Sequence, residues 1–211
     1  MKHEINFCRL WNRKTVNFVV AILMCFIFFD TQAQETAITE LYKSGSSYKS
    51  IYIEFYDSED YDRDIQIINL NIEQGYYILP NFSVNVGANV LFTNGHRTEI
   101  GNRGEENTDA RVVGTGLSGL LRLDIFTFRK NSVFIDGGLG LVFTSDDFPP
   151  GGTFWNLMSR YGAGLSINIK PNMNLGLGLR HIHFSNGKGI GHPRNPAYDG
   201  NGVYLGLIYD F

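Results

Sequence analysis

From residue 50 to residue 211, apolar and polar side chains take turns along the chain, segment after segment. Successive side chains of a β-strand point to opposite faces, so this period builds sheets with one oily and one polar face. It is not the period of an amphipathic helix. Segment 50–56 sets Ile51, Ile53 and Phe55 against Tyr52 and Glu54. Segment 65–78 sets Ile68, Leu70 and Ile72 against Asn69, Asn71 and Glu73, and segment 82–93 sets Val84, Val86, Ala88 and Val90 against Ser83, Asn85, Gly87 and Asn89. The alternation returns over 111–128, 132–143, 154–169, 173–185 and 203–211, which makes eight predicted strands. Short turns are expected at 79–81, 129–131 and 170–172. Longer connections are expected at 57–64, 94–109, 145–153 and 187–200.

Long and short connections thus alternate around an even number of strands of about ten residues. That is the pattern of an all-β, eight-stranded antiparallel transmembrane β-barrel of the outer-membrane type. The polar face is rich in Gly, Asn, Ser and charge, as the filled interior of a small barrel requires. Arg122, Arg160 and Arg180 are expected inside with Glu54, Asp124, Asp136 and Asp210, as a buried ion-pair network. A soluble sandwich also alternates, but it does not need so polar a second face on every strand. The terminal Tyr209-Asp210-Phe211 is similar to the assembly signal of bacterial outer-membrane proteins. Eight strands leave an interior just wide enough for side chains, which argues against a pore.

The first 33 residues read as a secretory signal. Lys2, Arg9, Arg13 and Lys14 form its basic start, 16–29 its apolar run, and Thr31-Gln32-Ala33 its small-residue exit. Residues 34–48 form an N-terminal segment and 49–211 the barrel. Both cysteines, Cys8 and Cys25, leave with the signal, so the exported chain has no disulfide. A formal net charge of −3 gives no basic surplus for nucleic acid. The expected location is the outer membrane of a Gram-negative cell, reached through the periplasm.

One strand carries chemistry. Leu175, Leu177 and Leu179 share a face, and continuing the count puts His181, His183 and Ser185 on that face and Arg180 on the other. Short turns of such barrels face the periplasm, so His183 and Ser185 sit at the outer rim, toward lipid. Polar groups facing lipid are costly and need a reason. A histidine two residues from a serine is the minimal base-and-nucleophile unit of acyl transfer. The bland alternative is a strand end that merely carries polar residues. His181, His183 and His192 lack a carboxylate or cysteine spacing for a metal site, so no metal and no cofactor is expected.

His183-Phe184-Ser185-Asn186, ending the penultimate strand of an eight-stranded barrel, resembles the lipid A 3-O-deacylase (PagL-like) family. The resemblance implies an ester hydrolase that removes an ester-linked acyl chain from lipid A with a Ser-His-acid triad on the barrel exterior. It maps the nucleophile onto Ser185, the base onto His183, and the oxyanion donors onto Asn186 with Gly187 or Gly189. Asn195-Pro196 resembles the Asn-Pro of the family's next loop. The family's acid, counted back from the C-terminus, falls on Asn201, with Asp199 two residues earlier. Both positions have the parity of His183, and Asn can also orient a histidine. The implied partners are lipid A of lipopolysaccharide and the outer membrane itself, with a homodimer left open. The competing reading is a non-catalytic structural or adhesion barrel with a degenerate triad.

Overall fold

The computed structural model describes residues 42–59, 63–101, 104–187 and 196–211. The predicted signal at 1–33 and the segment up to 41 lie outside the described residues. Among the described residues nine strands succeed one another: β1 (Ser47–Ser58), β2 (Arg63–Leu79), β3 (Phe82–Gly101), β4 (Gly104–Asp109), β5 (Val113–Phe128), β6 (Asn131–Phe148), β7 (Thr153–Lys170), β8 (Met173–Ser185) and β9 (Tyr198–Asp210). Eight of them close into an antiparallel ring in the order β1-β2-β3-β5-β6-β7-β8-β9, with β9 back against β1. The ring is sealed near the chain end, where the N–H of Phe211 donates to the Ser47 carbonyl at 3.0 Å.

The ninth strand, β4, is not part of the ring. It pairs with the outer end of β3, His96 opposite Asp109 through Gly101 opposite Gly104. The polar connection expected over 94–109 is therefore a β-hairpin. The 145–153 connection is also shorter than expected, because β6 runs on to Phe148 and β7 starts at Thr153. Such extensions escape a period-two reading because their sequences carry no sustained run of alternating apolar residues. At the opposite end the connections are two residues long, Pro80-Asn81, Arg129-Lys130 and Pro171-Asn172. Asn81 and Arg129 take the left-handed conformation that tight hairpins need, with φ of 62° and 54°.

The outward residues form an apolar belt. Val86, Leu117 and Leu139 are 63%, 69% and 72% exposed, far more than a protein in water leaves as a continuous face. The inward residues stack in three storeys. Near the short turns, Tyr48, Tyr52, Tyr77, Phe134 and Tyr204 make an aromatic floor. Arg122 lies on it, 3.6 Å from the centre of the Phe134 ring and 2.7 Å from Asp124. Tyr204 fits because its neighbours are glycines: a Cβ at Gly164 would stand 1.8 Å from its hydroxyl.

The middle storey is the ion-pair network that the polar face implied. Arg160 reaches Glu54 at 3.2 Å, Glu73 at 3.4 Å, Asn71 at 2.8 Å and Ser118 at 2.9 Å. Arg180 pairs with Glu54 and Asp136. Asp210 is not ion-paired to these arginines but accepts the Asn174 amide at 2.8 Å. A buried charge stripped of its partner costs more than the pair contributes, so Arg160→Met should destabilise the barrel by about 3–5 kcal/mol. Urea unfolding in lipid vesicles, monitored by tryptophan fluorescence, measures this.

The upper storey departs from the sequence reading of an interior rich in Gly, Asn, Ser and charge. Ile65, Ile67, Leu91, Val142, Phe148, Met158, Ile182, Phe184 and Tyr198 fill the outer end of the lumen as an apolar cluster. Burial inside the barrel removes these apolar side chains from water, so an inward position can be apolar without facing lipid.

Candidate functional site

The outer ends of β7, β8 and β9 carry the candidate residues. On β8, His181, His183 and Ser185 alternate with buried Arg180, Ile182 and Phe184, so the three polar side chains lie on the outward face, as the parity count required. Register decides what each one meets. The β8–β9 pairing sets His183 opposite Asp199 and His181 opposite Asn201. His183 Nδ1 lies 2.8 Å from Asp199 Oδ1. Asn201, the position reached by counting back from the C-terminus, faces His181 rather than His183, with 3.1 Å between His181 Nδ1 and Asn201 Oδ1. Parity alone could not separate the two, since positions 199 and 201 share a face.

Around His181 the contacts continue. Its Nε2 stands 3.4 Å from the same Asp199 oxygen, and its Nδ1 stands 3.6 Å from Glu59 Oε1. The Asn201 amide donates to Glu59 as well. The Tyr161 ring stacks on His181 at 4.8 Å between centres. With that cover the His181 side chain is 14% exposed, against 35% for His183, so His183 is the more open of the two imidazoles. Glu59, beyond the end of β1, was not singled out in the sequence, because contact across the closing seam of a barrel has no local signature.

Ser185 is half-buried on the outward face, two positions beyond His183 and opposite Leu157 of β7. Neighbours on one strand face stand about 7 Å apart at the backbone. Among the described residues no hydrogen bond joins Ser185 to His183, an approach that unliganded sites commonly leave loose. Asn186 is 1% exposed, and the next residue, Gly187, has φ of 73°. Only glycine takes that conformation freely, and there the chain leaves the strand just past the serine. Gly189, the other candidate donor, lies outside the described residues, as do His192 and Asn195.

A second serine belongs to the same patch. Ser159 of β7 stands directly opposite His183 in the β7–β8 pairing and is half-buried on the outward face. Its signal was one serine interrupting the outward run Leu157, Tyr161, Ala163 and Leu165. From Ser185 an apolar track leads sideways around the barrel. Leu157, Leu141 and Leu117 are successive cross-strand partners, all exposed. Among the described residues no group of three or more His, Cys, Asp or Glu side chains is placed to hold a metal ion.

The family described as outer membrane protein beta-barrel domain matches residues 20–211. No curated protein matches the chain. Among solved structures, the barrel is similar to the outer membrane enzyme PagL, at 16% identity over 74% of this chain and 97% of that one, with a TM-score of 0.53. It is similar to OprG from Pseudomonas aeruginosa at 13% identity, 81% and 97% coverage and a TM-score of 0.53. Neisserial surface protein A aligns at 13% identity, 79% and 96% coverage and a TM-score of 0.52. At these identities the likeness is one of fold.

Proposed function

Because the chain belongs to the outer membrane protein beta-barrel domain family and so resides in the cell outer membrane, we propose that it is an ester hydrolase that takes an acyl chain from lipid A at the barrel's outer face. One observation carries this reading: a histidine bonded at 2.8 Å to an aspartate, on the lipid side of the wall, with a serine on the same face two positions on. Three polar groups that a bilayer would exclude are grouped where a nucleophile, its base and an orienting acid belong. A solved structure of similar fold, that of the outer membrane enzyme PagL, is in keeping with an enzyme built on such a barrel.

The chemistry runs from Asp199 outward. Asp199 accepts the Nδ1–H of His183, which leaves Nε2 unprotonated and basic. Nε2 takes the Ser185 proton as Oγ attacks the ester carbonyl. The tetrahedral oxyanion is met by main-chain N–H groups at Asn186 and Gly187, where the chain turns off the strand. His183 then protonates the departing sugar hydroxyl. Water, activated by the same nitrogen, frees the fatty acid and restores Ser185. The acyl chain lies along Leu157, Leu141 and Leu117, which offer an apolar path already at lipid depth.

The test is lipid A itself. Cells expressing the chain should yield lipid A lighter by one ester-linked acyl chain than cells without it, read by mass spectrometry. Identical lipid A in both, from membranes that hold the folded barrel, would leave the structural barrel as the better reading.

A further inference from the structure

Acyl transfer to a serine asks a histidine to act twice, first on the serine and then on water. The first partner is Ser185, along the strand. The second must reach the same Nε2 from beside Ser185, because Ser185 is then acylated. Asp199 occupies the β9 side of the ring through Nδ1. The two ring nitrogens diverge, so Nε2 is directed away from β9, and the strand on that side is β7. Its residue opposite His183 is Ser159. Directly paired residues stand about 4.5–5.5 Å apart at Cβ, closer than the roughly 7 Å step along the strand to Ser185. That spacing suits one water between Nε2 and the Ser159 hydroxyl. The leucines around it, Leu157 and Leu139, offer such a water no hydrogen bond, and the Tyr161 ring is paired with and stacked on His181 instead.

We infer that Ser159 holds the hydrolytic water for deacylation, an inference that rests on the esterase reading above. The water donates one hydrogen bond to Nε2 and accepts the Ser159 hydroxyl proton in a second. It gives its proton to Nε2 as its oxygen bonds to the acyl carbonyl carbon. The carbon–Oγ bond of acyl-Ser185 then breaks, the Nε2 proton passes to Ser185 Oγ, and a free fatty acid leaves. Ser159 itself is never acylated. The residue is thus specific to the second half-reaction, and a serine facing lipid has a reason to be there.

The full chain in detergent micelles, with p-nitrophenyl octanoate as substrate and an alkyl fluorophosphonate as active-serine label, separates the outcomes. Ser159→Ala should keep the rapid first release of p-nitrophenol but slow the steady state by about 10-fold to 100-fold. Intact mass should then show the octanoyl adduct on Ser185 accumulating, and Ser159→Thr should restore turnover. The label should go to Ser185 in wild type and in Ser159→Ala alike. A first release and a steady state that fall together, or a steady state that does not change, would overturn the assignment. So would label on Ser159, which would make it the nucleophile. If wild type neither releases p-nitrophenol nor takes label at Ser185, the esterase reading itself falls, whatever Ser159→Ala does.

Discussion

Ser185→Ala should insert and fold as wild type does, yet lose lipid A deacylation by about 10⁴-fold or more. The side chain is half-buried on the outward face and bonds no described residue, so its removal disturbs neither the lumen nor the ladder. The reaction loses its nucleophile. What remains is the residual rate that oxyanion donors and binding give to direct attack by water. Heat-shifted migration on electrophoresis checks the fold, and mass spectrometry of lipid A incubated with the purified barrel checks the chemistry. Wild-type rates from a folded Ser185→Ala barrel would remove Ser185 from the mechanism.

Asp199→Asn should cost turnover roughly 10⁴-fold, the size of the effect where an acid in such a triad has been made an amide. The carboxylate at 2.8 Å fixes the proton of His183 on Nδ1. An amide can turn its NH₂ to that nitrogen, which moves the proton to Nε2, and a protonated Nε2 accepts nothing from Ser185. Asn201→Ala is the paired control. Its contacts are with His181 and Glu59, so deacylation should change by less than about tenfold. The reverse pattern, a severe Asn201→Ala and a mild Asp199→Asn, would return the orienting role to Asn201. Initial rates at saturating substrate distinguish the two.

The barrel was legible because lipid selects side chains strongly: Leu175, Leu177 and Leu179 must face it, and Arg180 must not. The same selection placed His181, His183 and Ser185 on one wall. It was silent over the polar residues 94–109, which carry no apolar alternation, and that is why the β3–β4 hairpin read as a loop. It was silent too on the upper lumen, since Ile65, Ile67 and Leu91 have the inward parity but an apolar character that pattern alone assigns to lipid. The partner of His183 depended on a different quantity, the offset between β8 and β9. A strand shift of two residues keeps every side chain on its face and exchanges Asp199 for Asn201, so no periodicity can fix it. Ser159 was passed over for a related reason. One hydroxyl in an apolar stripe carries information only once its cross-strand neighbour is known to be a histidine.

The seam between β9 and β1 sets an order of assembly. His183 and Asp199 stand 16 positions apart in the chain, within one hairpin. Asn201 and Glu59 stand 142 apart and meet only when the last strand finds the first. Closing the longer loop costs about 2 kcal/mol more in chain entropy, which makes it the later event. The His183–Asp199 pair can thus form in an unclosed sheet, while His181 gains its Glu59 neighbour at closure. An open, partly inserted barrel would hold His183 and Asp199 in register before it holds the rim around them.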